Sequence, residues 1–241
     1  MTDRARSFDQ AAALYADARP DYPAAALDWL LPDGARRVLD LGAGTGKLTR
    51  LLVDRTLEVV AVEPSPQMGA ELASYVPEAE LHEAPAERIP VPDASVDAVL
   101  VGQAFHWFDC DPALAEIARV LRPGGRLGLL WNFDDDSVAW VDALATATGT
   151  TARANLREPD VTVPEAFTHI STAEFPHGQR LTRDGLHGLI QTHSFYLVQN
   201  EEGRAAVRRG IDDVLDSHPE LYDAPDFVLP YVTRCWRATR R

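Results

Sequence analysis

Three glycines spaced two apart, Gly42, Gly44 and Gly46, stand between an apolar run and a helical pattern. Backbone without Cβ atoms can turn sharply and lie close to a ligand. The helix that follows presents free N–H groups to anything anionic. Asp40 precedes the loop, and Glu63 follows the next apolar run. A carboxylate at the end of that run can accept hydrogen bonds from both hydroxyls of a ribose. Nucleoside binding is the chemistry these residues suggest. A P-loop is excluded, because Leu41 stands where its first glycine belongs and Leu48 where its metal-binding hydroxyl belongs. The dinucleotide pattern G-x-G-x-x-G has its acid in Glu63, but the third glycine arrives one residue early.

The elements that would hold these residues alternate in period. Residues 38–41 read as a short strand, and Leu48, Leu51 and Leu52 give the i, i+3, i+4 stripe of a helix packed on a sheet. Residues 57–62 form a second strand, wholly apolar from Val59 to Val62, as buried parallel strands are. A helix over 66–75, strands at 80–83 and 96–101, a helix over 112–121, a Pro123-Gly124-Gly125 turn and a strand at 127–131 follow. Such alternation predicts a doubly wound parallel sheet with right-handed crossovers. Upstream, Phe8, Ala12 and Tyr15 fall at helical spacing, Pro20 and Pro23 interrupt, and 24–31 resumes. Downstream the pattern loosens. Asp134-Asp135-Asp136 reads as a helix start, 150–170 has no period, and 173–182 reads as a strand. Val207, Ile211, Val214 and Leu215 mark an amphipathic helix, and 227–238 a last strand. The irregular stretch from about 133 to 170 follows a strand's C-terminal end, where a substrate cover would lie.

The 241 residues suffice to bury a core without disulfides or metals. The 37 acids against 23 bases leave a net charge of −14, which counts against nucleic acid and anionic lipid as partners. Cys110 and Cys235 give neither a disulfide framework nor zinc spacing, and the seven histidines show no metal spacing, so no metal is expected. No signal peptide or membrane span is visible, and the expected location is cytoplasmic. Lys47 is the single lysine.

Asp40-Leu41-Gly42-Ala43-Gly44-Thr45-Gly46 fits E/D-x-G-x-G-x-G in full, and here the chain resembles the class I S-adenosylmethionine-dependent methyltransferases. The segments from Ala86 to Asp97 and from Arg119 to Leu127 are similar to that family's A-E-x-[LI]-P-x-P-D-x-S-[FV]-D and R-V-L-[KR]-P-G-G segments. Together the matches cover residues 36–132. A narrower likeness, in Gln103 to Asp109, Trp131-Asn132, Thr192 to Tyr196 and the N-terminal Phe8, Tyr15, Arg19-Pro20 and Tyr22-Pro23, points to the trans-aconitate methyltransferase-like branch. The resemblance implies an α/β, doubly wound, mostly parallel seven-stranded Rossmann-like sheet. Its last strand is antiparallel, and helices cover both faces. It also implies a single methyltransferase domain over 1–241, divided into an N-terminal helical cover (1–35), a donor-binding core (36–132) and an acceptor-side cover with the last strands (133–241).

The same resemblance distributes roles. The loop from Asp40 through Gly42, Ala43 and Gly44 to Gly46 would lie under the methionine part of S-adenosylmethionine, and Glu63 would hold the ribose. Pro64, Ser65 and Met68 would face the adenine, with Ala86 and Glu87 at its edge. Met68 fits equally as core packing. Gln103 would close the methionine end. Tyr15 and Arg19 would cover the donor, Arg19 either pairing with the donor carboxylate or standing exposed before Pro20. His106 is the candidate catalytic base, or a histidine that shapes its loop with Trp107. Trp107, Trp131, Asn132, Ser194 and Tyr196 are candidates for the acceptor wall. A carboxylate acceptor would need a cation, with Arg153, Arg157, Arg180 and Arg183 as candidates.

Methyl transfer from a sulfonium to a small-molecule acceptor, leaving S-adenosylhomocysteine, is the function these expectations define. The donor carries the difficult chemistry, and the protein's task is alignment and exclusion of water. Two alternatives stand beside it: a non-catalytic module that binds S-adenosylmethionine or S-adenosylhomocysteine, and, against the glycine spacing, an NAD-dependent oxidoreductase. The acceptor and the oligomeric state are left open.

Overall fold

The structure, a computed structural model, describes residues 19–149, 165–168 and 170–241. Of the predicted N-terminal helix and the Tyr15, Arg153 and Arg157 assignments, all lie outside the described residues. Pro23 opens helix α1 (Ala24–Leu30), which buries Ala26, Leu27 and Leu30. Strands β1 (Arg37–Leu41) and β2 (Glu58–Val62) each bury their last four residues. Helix α2 (Lys47–Val53) follows β1 through the glycine loop. Helix α3 (Pro66–Tyr75) starts with proline at its first position, and the Ser65 hydroxyl accepts the Met68 N–H at 3.4 Å as its cap. The short strand β3 (Glu80–His82), β4 (Val96–Gly102), α4 (Cys110–Val120) and β5 (Leu121–Asp134) complete the first half. Then come α5 (Ala139–Ala147), β6 (Ser171–Leu181), α6 (Arg183–Gln191), the single turn α7 (Ser194–Leu197), α8 (Glu201–Ser217) and β7 (Phe227–Thr239).

The sheet has seven strands in the order β3-β2-β1-β4-β5-β7-β6, and only β7 runs antiparallel. The predicted architecture is therefore the observed one. Register brings the ends of the central strands level: Leu41 pairs with Val62, and Gly102 with Leu130. Loops after β1, β2 and β4 thus leave the same edge of the sheet, the C-terminal edge where ligands of such sheets sit.

Two described units can be separated. One comprises residues 21–132, 165–168, 170–175 and 233–241, and its core includes Leu27, Leu30, Leu48, Leu52, Leu100 and Cys235. Burial pushes the Cys235 thiol up to about 12, so it stays an apolar filler. The other comprises 19–20, 133–149 and 176–232, around Trp140, Leu144, Leu186, Leu189, Ile211 and Val214.

Three local readings differ from expectation. The Pro123-Gly124-Gly125 turn lies inside β5: Leu121 pairs with Val96 and Arg126 with Ala98, so 122–125 bulge out against a single residue of β4. Gly124 adopts φ +81 there. Asp134 ends β5 and does not start a helix; Asp135 accepts from the N–H and hydroxyl of Ser137 instead. Helix α5 occupies part of the stretch read as irregular.

The two long motif segments are mutual staples. Arg119 donates to Glu116, to Asp93 and to the carbonyl oxygens of Ile89 and Val91, while Glu116 accepts the Ile89 N–H. Asp97 accepts the N–H groups of Arg36 and Arg37 at 2.8 and 3.0 Å and pairs with Arg122. Together they fix the start of β1 and the chain before β4, and so the loops at the far edge.

Candidate active site

The glycine loop is built by three left-handed residues, each for its own reason. Gly42 has φ +72, and a Cβ there would lie 2.7 Å from the Ala104 Cβ. Gly46 has φ +91, and its Cβ would lie 2.9 Å from the Leu72 side chain. Packing alone forbids a side chain at both. Gly44, at φ +58, has nothing within 4 Å of where its Cβ would stand. Its backbone lines open space, which a ligand can approach closely.

The loop is tied to β2. The N–H groups of Gly42 and Ala43 both donate to the Val62 carbonyl, at 2.8 and 3.1 Å. The Gly44 N–H donates to Glu63 Oε2 at 2.8 Å, and the Ser65 N–H to Glu63 Oε1 at 2.9 Å. Glu63 is buried, with 6% exposure. A carboxylate has about four lone-pair sites, so each oxygen keeps one after these bonds. The group is oriented by backbone and retains capacity for a vicinal diol.

Beneath the loop lies Asp40, with 1% exposure, its Oδ2 accepting from the Thr49 hydroxyl at 2.6 Å. Burial pushes its carboxyl up to about 7; the Thr49 bond works against this rise and the nearby Glu63 charge adds to it. Asp40 therefore stands under the loop as a group near its titration point. Thr49, on the inner face of α2, was not singled out by sequence reasoning; a hydroxyl one turn into the helix after such a loop is the only signal it gives.

The other candidates divide. Pro64 and Met68 are exposed, and Ser65 is half-buried, with its hydroxyl spent as the α3 cap. Ala86 is buried, while Glu87 accepts the Asp109 N–H at 2.8 Å just before α4. Gln103 has φ +54, unusual for a residue with a side chain, and its N–H donates to the Leu130 carbonyl at 2.9 Å. His106 and Trp107 form a single 3-10 turn with ring centres 4.7 Å apart, and partial burial lowers the His106 pKa. Trp107 is 80% exposed.

Trp131 and Asn132 are committed inside their own unit. Trp131 stands edge-on to Trp236 at 5.3 Å. Asn132 accepts from the Thr233 hydroxyl at 2.6 Å and donates to the Asp21 carbonyl at 3.2 Å. Lys47, the first residue of α2, pairs with Asp21 at 3.1 Å. In the other unit, Tyr196 is buried, and its hydroxyl accepts from Arg208 at 2.8 Å. Ser194 begins α7 there, and Arg19 donates to the Thr192 carbonyl at 3.4 Å. The residues proposed from sequence for the donor, from Asp40 to Gln103, thus lie in one unit, while Arg19, Ser194 and Tyr196 belong to the other. Among the described residues, no three His, Cys, Asp or Glu side chains converge as metal ligands. No described helix is long and apolar enough to cross a membrane.

A parallel sheet with an antiparallel β7, carrying a glycine loop and a buried acid at its C-terminal edge, is a Rossmann-like scaffold. Residues 39–129 match the methyltransferase domain family. An uncharacterised methyltransferase of Mycobacterium tuberculosis is 45% identical over 242 residues, covering 98% of this chain and 97% of that protein. A methyltransferase-like protein of Schizosaccharomyces pombe is 32% identical over 98% of this chain and 96% of its own length. A solved structure of a candidate type II methyltransferase from Anaeromyxobacter dehalogenans superposes with a TM-score of 0.66 at 26% identity, covering 92% of this chain and 97% of that one. The chain belongs to the methyltransferase family.

Proposed function

We propose that the protein transfers a methyl group from S-adenosylmethionine to a small-molecule acceptor by in-line displacement, releasing S-adenosylhomocysteine. The observation that carries the donor reading is the Glu63 carboxylate, held by the Gly44 and Ser65 N–H groups with one lone pair per oxygen to spare, beside the open space over Gly44. Glu63 would hold the ribose diol, and the Gly42–Gly46 backbone the methionine portion. Met68 and Pro64, exposed at the start of α3, would offer the adenine an apolar face. Bound donor supplies an activated methyl on a sulfonium; this chain supplies orientation, worth up to about 7–11 kcal/mol of barrier in favourable cases.

An acidic chain favours a small acceptor over a nucleic acid. The trans-aconitate-like motifs favour the same class, and a cytoplasmic setting fits both. Calorimetric titration with S-adenosylhomocysteine tests the donor, with NAD as control. Micromolar binding of the first alone is expected. Glu63→Ala should weaken it at least tenfold with the fold intact. Failure of the native chain to bind S-adenosylhomocysteine would overturn the reading.

A further inference from the structure

Within the unit that carries the glycine loop, a short strap made of Asp21 and Tyr22 is held from three sides. The Asp21 carboxylate pairs with the Lys47 ammonium at 3.1 Å. The Asp21 carbonyl accepts from the Asn132 amide at 3.2 Å, and the Asn132 side-chain oxygen accepts at 2.6 Å from Thr233, a buried hydroxyl of β7. Tyr22 is buried, and the bare backbone of Gly102 admits it: a Cβ there would lie 2.7 Å from the Tyr22 hydroxyl oxygen. Pro23 disfavours a helical Tyr22 and so keeps the strap extended. The strap therefore meets β4 at its last residue, β5 close to its end, and α2 at its first residue.

Its outermost feature is a pair of opposite charges beside the loop. Lys47 directly follows Gly46, and Gly44 in the same loop faces open space. The Asp21 side chain is exposed and that of Lys47 partly so. An exposed ion pair adds little to stability, because water screens it and two side chains must be ordered to form it. Stability alone therefore gives no reason to fix the Asp21 backbone through Asn132 and Thr233. Arg50, the next cation along α2, is engaged by Asp54 and Glu78, so it is Lys47 that brings positive charge to the loop. A carboxylate has about four lone-pair sites, and among the described residues Lys47 meets one oxygen of Asp21. The amino-acid end of S-adenosylmethionine carries a carboxylate and an ammonium on one carbon. Such a zwitterion can exchange partners with an ion pair without leaving any charge unmatched.

We infer that Lys47 and Asp21 read the amino-acid end of the donor, Lys47 taking its carboxylate and Asp21 its ammonium. The inference rests on the donor reading above. Both residues are donor-binding groups, with no bond to make or break. With both charged groups of that carbon held, the sulfonium further along the same chain is restrained as well, which is the alignment that displacement needs. Arg19, the candidate for the carboxylate by sequence, belongs to the other unit and donates there to the Thr192 carbonyl.

Four ligands separate the charges in calorimetric titrations: S-adenosylhomocysteine, its decarboxylated analogue, its deaminated analogue, and methylthioadenosine, which lacks the amino-acid end. In the native chain each single-charge analogue should bind about tenfold or more weakly than S-adenosylhomocysteine. Lys47→Met should lose about tenfold or more in affinity for S-adenosylhomocysteine and for the deaminated analogue. It should bind methylthioadenosine as the native chain does, which also shows that it is folded. Asp21→Asn should lose as much for the decarboxylated analogue, again with methylthioadenosine unchanged. Lys47→Arg, which keeps the charge, should retain most of the affinity that Lys47→Met loses. Native chain that binds S-adenosylhomocysteine no more tightly than methylthioadenosine overturns the inference and leaves the nucleoside reading standing. Unchanged S-adenosylhomocysteine affinity in Lys47→Met overturns it too. So does a loss shared equally by all four ligands in either variant, which makes the pair a structural tie. Native chain that binds none of the four retires the donor reading itself, a separate result.

Discussion

At the scale of single residues, the glycine loop rests on a carboxyl that resists ionisation. The native state holds the Asp40 proton more tightly than the unfolded chain does, because the folded value of about 7 lies above the ordinary 3.8. That contribution is complete below about pH 4 and is lost as pH rises through about 7. Asp134, raised to about 6, has the same sign. His193, held down to about 3 by burial, acts in the opposite sense, so the Asp40 share is read from the difference between native chain and Asp40→Asn in urea denaturation at about pH 5 and pH 8. Asp40→Asn should lose less over the same window, since its amide oxygen still accepts from Thr49 and carries no charge to bury. An equal loss in both chains would remove Asp40 from the account. Glu63 is the counterexample at this scale. Its place after β2 was legible in the sequence, but its two backbone N–H partners were not, because a bond from the loop to a residue nineteen positions on exists only after β1 and β2 pair.

At the scale of elements, the two kinds of glycine in the loop separate folding from binding. Gly42→Ala forces a Cβ to within 2.7 Å of Ala104 at φ +72 and should cost about 1–3 kcal/mol of stability, read from the denaturant midpoint. Gly44→Ala meets no atom, so only the positive φ opposes it, at about 1 kcal/mol. It should stay folded yet lose S-adenosylhomocysteine affinity, because its methyl enters the open space. Equal stability loss with intact binding would refute that division. Legibility followed burial. β1, β2 and β4 are buried on both faces and read as continuous apolar runs. Helix α6 announces itself faintly, since Gly185 and Gly188 dilute its pattern and its cap is the Thr182 hydroxyl on the Gly185 N–H. Helix α5 buries Trp140, Val141, Leu144 and Ala145 without any side-chain cap to mark its start. The motif around Arg119 was legible as a pattern; that its purpose is stapling the Ile89–Asp93 segment required coordinates.

At the scale of the whole molecule, 23 bases against 37 acids set how the chain meets other polymers. Phosphate backbones bind through clustered cations and released counterions. The chain should leave duplex DNA unshifted in a mobility assay at about 0.15 M salt, and a shift that weakens with salt would reopen nucleic acid as the acceptor. Many arginines are already spent internally: Arg126 and Arg237 bond the Trp29 and Leu31 carbonyls, with Arg237 over the Trp29 ring at 4.0 Å. The acceptor wall was the least legible part. Trp131 and Asn132 looked available by position after a strand, yet their partners, Trp236 and Thr233, lie about a hundred residues away.

With one lysine in 241 residues, amine chemistry on this protein has one side-chain address. Lys47 directly follows Gly46 and is held by Asp21, with a quarter of its side chain accessible. An acylating reagent or a coupled fluorophore would therefore report on the glycine loop without any engineered label. S-adenosylhomocysteine should slow acylation of Lys47 in a mass-resolved time course, whereas NAD should not. Such single-site footprinting could turn the protein into its own donor sensor.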